Sequence, residues 1–328
     1  MSTVSEQTTE AAVSATPAPV SRKRVWFRRV MLVLLLGFAV AAIVTNRDGL
    51  AEALRETAPW AIPAAFVPGL LALGTSLGQW RSLLADVGSR LPWRPAARIF
   101  FLSQLGKYVP GSVWSILTQM ELSQQHNVPK RSVLTVGVLS IAIAVTTGLT
   151  VAVVMLPFAM PDALARYWWV LLVLPVLVSL LVPAVLNRCL GLVLRLARRD
   201  PLPKPPSWRG LGTTASFQFT TWLLLGVHAW ILLIGLGAPA LSALPVAIGG
   251  YALAYSVGQM AIGLPAGAGV REAVLTLVMS TVVPAPAALL LALLSRALLT
   301  LVDLTMAGTQ YVIGRRATAK AAEVAEQA

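Results

Sequence analysis

The chain has 328 residues, of which 57% are hydrophobic and 12% charged, with one cysteine and a formal net charge of +13. This composition excludes an ordinary soluble domain, because several uncharged apolar runs exceed the roughly 18 residues that identify a membrane span. A single cysteine excludes a disulfide framework, and in a membrane protein the positive charge indicates orientation-setting loops rather than a nucleic-acid partner.

Six apolar runs predict spanning helices, with a tail on either side. Residues 1–24 begin with a stretch rich in Ser, Thr, Ala and Pro and predict a disordered cytoplasmic tail, and residues 317–328 predict a second cytoplasmic tail. A cleaved signal peptide is the alternative for the first run, but the long polar lead favours an uncleaved anchor. The predicted spans are residues 30–46, 57–80, 132–156, 167–187, 210–237 and 286–314.

Two further apolar stretches are broken by proline and glycine. Residues 99–120 contain GKYVPG at 106–111, and residues 244–283 contain GLPAGAGVRE at 263–272. Irregular backbone at membrane depth is tolerated only where it is buried in protein or lines a wet cavity. We therefore expect two broken helical hairpins, and the sequence leaves open whether each is re-entrant or fully spanning.

Charge alternates from loop to loop. Residues 22–29, 81–98, 126–131, 188–209 and 315–320 are strongly basic, whereas 47–56 and 157–166 are acidic or neutral overall. If each broken stretch returns to the side from which it entered, all the basic loops share one face. The positive-inside rule then predicts a multi-pass plasma-membrane protein with both termini in the cytoplasm.

The two broken stretches indicate an internal repeat. Gln104 lies six residues before Pro110, Gln259 lies six residues before Pro265, and flanking spans recur near the same offset. Each unit then holds three spans and one broken hairpin, so the second unit is inverted relative to the first. The predicted fold is an all-α membrane domain over residues 25–316, with repeat one near 30–157 and repeat two near 167–314.

Each break carries a cation beside a predicted helix start, where exposed N–H groups attract anions. Lys107 precedes the first helix start and Arg271 lies in the first turn of the second. The alternative is a set of structural caps in which Arg271 pairs with Glu272 or Asp303. The predicted substrate-binding residues are Lys107, Tyr108, Pro110, Gly111, Ser112, Pro265, Gly267, Gly269, Arg271 and Glu272.

Four more polar residues at membrane depth predict a gating or charge network: Arg296, Asp303, Gln104 and Gln259. Arg296 and Asp303 are seven residues apart and share a helix face. A packed salt bridge with Glu272 or Arg271 is an equal alternative, and helix–helix contact is the commoner use of membrane glutamines. The sequence contains no carboxylate cluster with metal-ligand spacing, and we predict no metal or cofactor.

At GKYVPGSVW and GLPAGAGVRE the chain resembles the flippase-like membrane family that includes the membrane region of lysylphosphatidylglycerol synthases. The resemblance covers about residues 25–316. It implies a domain that moves or handles anionic lipids, aminoacylated lipids or polyprenyl-linked sugars. Fourteen residues follow Gly314, too few for the family's soluble aminoacyl-transferase domain, so we do not expect lipid aminoacylation by this chain.

Three functions follow as hypotheses. The first is a lipid translocator that holds a phosphate between Lys107 and Arg271. The second is a membrane transferase that uses a lipid-phosphate donor, with Glu272 or Asp303 as acid or base. The third is a scaffold for a glycosyltransferase or another lipid-modifying enzyme.

Overall fold

The computed structural model describes residues 44–108, 114–159, 168–196, 204–261, 264 and 267–326. Within these ranges the chain forms eleven α-helices and no β-strand, which confirms the predicted all-α class. The predicted tail at 1–24 and most of the predicted span at 30–46 lie outside the described residues. The last helix continues to Glu326, so most of the predicted tail at 317–328 is helical.

The described part of the first half contains five helices and a 3₁₀ turn. In chain order they are α1 (Arg47–Glu56), α2 (Ala61–Asp86), α3 (Trp93–Gln104), the 3₁₀ turn Leu105–Tyr108, α4 (Trp114–Gln124) and α5 (Lys130–Ala159).

The described part of the second half contains six helices, which follow another 3₁₀ segment. In chain order they are the 3₁₀ segment Trp168–Leu172, α6 (Val173–Leu180), α7 (Pro183–Leu196), α8 (Trp208–Gly235), α9 (Ala240–Met260), α10 (Val270–Met279) and α11 (Ala285–Glu326).

Five of these helices, α2, α5, α8, α9 and α11, are long and apolar enough to cross a membrane. Large apolar side chains face outward along them, and Val67 and Leu71 of α2 and Leu301 and Leu304 of α11 are about half exposed. A water-soluble protein rarely exposes apolar surface over several long helices. These surfaces therefore fit contact with lipid.

The predicted span at 167–187 is not one continuous helix. It is divided into a 3₁₀ segment, α6 and the start of α7, and Pro183 is the first residue of α7. Proline is tolerated at a first helical position because its missing N–H is unneeded there, but it cannot continue a preceding helix. The apolar run alone did not predict this division.

The two breaks join helices of different lengths. Helices α3 and α4 have 12 and 11 residues, and α10 has 10. At about 1.5 Å per residue each is roughly 15–18 Å long, well short of a hydrocarbon core of about 30 Å. None of the three is therefore long enough to cross the core alone, and the second break joins full-length α9 to half-length α10.

Helices α2 and α8 pack antiparallel at the centre of the fold. The hydroxyls of Thr75 and Thr221 lie 2.7 Å apart in the middle of this interface. Helix α3 packs against α11, and α9 packs against α5. Two clusters of buried apolar side chains support the arrangement, one mainly on α8, α9 and α11 and the other on α2, α3 and α5.

Several basic segments lie at one end of this bundle. The carboxylate of Asp86, at the end of α2, accepts hydrogen bonds at 2.7 Å from the backbone N–H and the hydroxyl of Ser207, which caps α8. The side chain of Arg98 lies against Gly314 of α11. The ends of α2, α3, α8 and α11 that carry the basic residues near 90, 209 and 315 are therefore neighbours.

Candidate functional site

The first helix break is tied to α11 by an ion pair. The Lys107 ammonium lies 2.7 Å from a carboxylate oxygen of Asp303, and the side chain of Asp303 is only 3% exposed. The Tyr108 hydroxyl donates a hydrogen bond to the same oxygen. A buried carboxylate requires such partners, because desolvation of an unpaired charge is costly. Asp303 therefore fixes the 3₁₀ turn Leu105–Tyr108 against the middle of a spanning helix.

The second break depends on glycines. Gly267 has φ 66° and Gly269 has φ 84°, in the left-handed region that glycine adopts most easily. A Cβ at Gly267 would lie 2.7 Å from the carbonyl oxygen of Gly258 in α9, so a larger residue does not fit there. The backbone N–H of Gly269 donates to the Glu272 carboxylate at 2.7 Å, which satisfies a free donor at the start of α10.

Arg271 projects from the first turn of α10 onto two aromatic rings. Its guanidinium donates a hydrogen bond to the Tyr251 hydroxyl and lies 5.1 Å from the ring centroids of both Tyr251 and Tyr255. Among the described residues no carboxylate lies within ion-pair distance of Arg271. The predicted alternative, in which Arg271 pairs with Glu272 or Asp303, is therefore not what the structure contains.

Glu272 instead pairs with Arg296 of α11 at 2.5 Å. This is one of the salt bridges that the sequence left open as an alternative for Arg296. Arg296 and Asp303 lie about 17 Å and 27 Å along α11 from Ala285, at about 1.5 Å per residue. Both are therefore deep within a helix whose candidate span runs from Ala285 to Arg316.

Both breaks line one cavity of about 310 Å³. The cavity lies between the halves of the chain, and spanning helices α2, α5, α8, α9 and α11 contribute to its wall. Of the predicted residues, those that line it are Gln104, Lys107, Tyr108, Gln259, Gly267, Arg271, Arg296 and Asp303. Gly269 and Glu272 are described but do not line it, and Pro110, Gly111, Ser112 and Pro265 lie outside the described residues.

Residues 26–307 match the model of a protein family described as the lysylphosphatidylglycerol synthase TM region. The chain belongs to this family. The match covers most of the chain and confirms the resemblance seen at the two break motifs. The protein is therefore a multi-pass membrane protein of a family related to lipid handling. A comparison with curated proteins finds no match.

In this member of the lysylphosphatidylglycerol synthase TM family, a buried hydrogen-bond chain supports Arg271. The Tyr251 hydroxyl lies 3.1 Å from the Ser295 hydroxyl, which lies 2.9 Å from Nε2 of His228. Nδ1 of His228 lies 2.8 Å from the Ala65 carbonyl oxygen. Because a carbonyl only accepts, Nδ1 carries a proton, and in the neutral ring Nε2 then accepts from Ser295. Each group in the chain then donates a hydrogen bond to the next, from the Arg271 guanidinium through Tyr251, Ser295 and His228 to the Ala65 carbonyl.

Sequence reasoning missed the tyrosines that hold Arg271. Tyr251, Tyr255 and Gln259 are spaced four residues apart on α9, so they form a stripe on one face of that helix. This spacing is visible in the sequence. Tyrosines are common in apolar helices, so the stripe alone does not distinguish a site that binds Arg271 from ordinary packing.

Proposed function

We propose that this protein is a lipid translocator that holds the phosphate of a membrane lipid in the cavity between its two helix breaks. One observation carries the proposal: Lys107 and Arg271, one from each break, line the same cavity at membrane depth. An intramembrane charge is costly and indicates a functional role. A planar guanidinium with free donors is the side chain best suited to bind a phosphate.

The two break regions are proposed to be halves of an inverted repeat. Helices α2 to α5 would form one unit and α8 to α11 the other. The contacts support this pairing, because α2 packs on its counterpart α8, while α3 packs on α11 and its counterpart α9 packs on α5. Inverted repeats with broken helices hold substrate near the midplane of several transporters and expose it alternately to each side.

The basic end of the bundle is proposed to face the cytoplasm, with both chain termini on that side. The Asp86–Ser207 and Arg98–Gly314 contacts support this orientation, because they bring helix ends that carry basic residues together at one end of the bundle. Lysine and arginine are retained on the cytoplasmic side of membrane proteins. The plasma membrane is the expected location.

The two ion pairs are proposed to act as a gate. Lys107 bound to Asp303 and Arg296 bound to Glu272 each join a break to α11. Both pairs would stay closed while the phosphate is held at Arg271, and they would open as the breaks move away from α11 during translocation. The backbone around Gly111, Ser112 and Pro265, outside the described residues, is expected to complete the phosphate contacts.

The test is lipid translocation by the purified protein in proteoliposomes, measured with fluorescent phospholipids and a membrane-impermeant quencher. We expect Arg271→Ala to slow translocation at least about tenfold, because a hydrogen bond to a charged group contributes about 1.5–3 kcal/mol and about 1.4 kcal/mol corresponds to tenfold. Lys107→Ala should also slow it. Arg316→Ala, at an exposed position of α11, is the matched control and should leave the rate unchanged.

Wild-type rates in both Arg271→Ala and Lys107→Ala, with the proteins eluting as folded species, would contradict the site. Absence of translocation by the wild-type protein alone would contradict an autonomous translocator and favour the scaffold hypothesis.

A further inference from the structure

Among the described residues, one cation in the cavity wall has no carboxylate partner. Three cationic side chains, Lys107, Arg271 and Arg296, lie in its wall, and two carboxylates neutralise two of them. Asp303 is bound to Lys107, and Glu272 is bound to Arg296. Arg271 is held by the hydroxyl and the ring of Tyr251 and by the ring of Tyr255, which stabilise a cation without cancelling its charge. One added negative charge therefore neutralises the site.

A second part of the same wall is polar but uncharged. Five uncharged polar side chains belong to this part of the wall, and they are Gln79 and Trp80 of α2, Gln119 of α4, Ser140 of α5 and Gln259 of α9. The first three are 2–5% exposed. Each has a polar atom for which the described residues supply no hydrogen-bond partner. Two of these atoms are donors, Nε2 of Gln79 and Nε1 of Trp80. Two are acceptors, Oε1 of Gln119 and Oε1 of Gln259, and Ser140 Oγ can do either.

Unsatisfied polar groups at this burial are rare in folded proteins, because each has lost its hydrogen bonds to water. Five of them on residues of one cavity wall therefore favour a bound polar group that both donates and accepts. A hydroxyl meets this requirement, and an ammonium does not, because it has no acceptor for the two N–H donors. The carboxylates that would neutralise an ammonium are already paired with Lys107 and Arg296.

We infer that the cavity takes a lipid with one phosphodiester charge and an uncharged, hydroxyl-bearing head group such as glycerol or a sugar. The inference rests on the proposed phosphate contact at Arg271 and adds the chemistry of the head group. The phosphodiester neutralises Arg271, and the hydroxyls satisfy the polar atoms of α2, α4, α5 and α9. A lipid with an aminoacyl or ethanolamine head group would bring a positive charge into the cavity. Among the described residues, the cavity offers that charge no unpaired carboxylate.

The test compares short-chain lipids that differ only in their head groups, bound to the purified full-length protein and quantified by native mass spectrometry. Phosphatidylglycerol and phosphatidylinositol should bind at least about tenfold more tightly than phosphatidylethanolamine or lysyl-phosphatidylglycerol. Phosphatidylmethanol, which has the same single charge and no head-group hydroxyl, should bind with intermediate affinity. Equal binding of all five lipids, or tighter binding of the amine-bearing lipids, would overturn the inference.

Variants separate the head-group contact from the phosphate contact. Gln79→Leu and Gln119→Leu should each reduce the preference for phosphatidylglycerol over phosphatidylmethanol severalfold and leave phosphatidylmethanol binding unchanged. Gln124→Leu, at an exposed position of α4, is the matched control. If the preference survives both cavity variants, the assignment of the hydroxyl site is wrong although the phosphate site stands. If Arg271→Ala binds phosphatidylmethanol as well as wild type does, the proposed function fails as well.

Discussion

The ion pair between Lys107 and Asp303 offers the sharpest test of how the first break is held. Its two atoms are 2.7 Å apart, and the side chains of lysine and aspartate are 29% and 3% exposed. Asp303→Asn keeps the shape of the side chain and an acceptor for Tyr108, but it removes the charge that balances Lys107. The ammonium is then left in a largely apolar wall with a neutral neighbour.

The expected loss follows from this partial burial. A hydrogen bond to a charged group contributes about 1.5–3 kcal/mol, and breaking a fully buried ion pair costs about 3–5 kcal/mol. Because Lys107 retains some exposure, we expect Asp303→Asn to lower the free energy of unfolding by about 2–3 kcal/mol. Adding Lys107→Met removes the stranded charge, so the double variant should recover most of that loss.

The assay is unfolding in mixed detergent, followed by tryptophan fluorescence, for the wild type, both single variants and the double variant. Asp48→Asn is the matched control, because Asp48 and Arg47 are 3.6 Å apart but 94% and 76% exposed. Such an exposed pair should contribute no measurable stability. If Asp303→Asn is as stable as wild type, or if the two single effects simply add in the double variant, the coupling inferred from the geometry is absent.

Three further predictions concern the second break and its support. Glu272→Gln should destabilise the protein less than Glu272→Ala does. Both variants lose the ion pair with Arg296, but glutamine can still cap α10, a contact of about 1 kcal/mol. Equal thermal unfolding midpoints for the two variants would contradict the capping role. Gly267→Ala should lower the free energy of unfolding by at least about 1 kcal/mol, because its φ is 66° and the added Cβ would meet a carbonyl oxygen at 2.7 Å. The control Gly308→Ala, with open space around it, should stabilise α11 by up to about 1 kcal/mol. Nitrogen-15 NMR of His228 should identify the neutral tautomer protonated at Nδ1. A spectrum of the Nε2-protonated tautomer would contradict the direction assigned to the hydrogen-bond chain.

Features with a local physical cause were predictable from the sequence. Gly267 and Gly269 indicated irregular backbone because glycine adopts positive φ at little cost, and both have it in the structure. The seven-residue spacing of Arg296 and Asp303 indicated one helix face, and both line the cavity. The family was also predictable, because it rests on two short motifs whose residues make the breaks.

Features that depend on distant contacts were not predictable. Five charged residues, Lys107, Arg271, Glu272, Arg296 and Asp303, allow several pairings, and spacing along the chain does not choose between them. The structure pairs Arg296 with Glu272, although Arg271 is the nearer arginine in sequence. The reason is geometric: Glu272 caps its own helix through Gly269 and so faces α11, whereas Arg271 faces the tyrosines of α9.

These pairings also bear on the choice between a translocator and a transferase. A general acid or base must reach its substrate in the correct protonation state, and Glu272 and Asp303 were the candidates for that role. Each is held by a cation at 2.5 or 2.7 Å, and Glu272 is not among the residues that line the cavity. Proton transfer by either would first require an ion pair to open, whereas a phosphate bound at Arg271 leaves both ion pairs closed. Among the described residues the cavity cation without a carboxylate partner is the Arg271 guanidinium, which is suited to hold an anion and not to exchange a proton. The arrangement therefore favours binding and movement of an anionic lipid over its covalent modification.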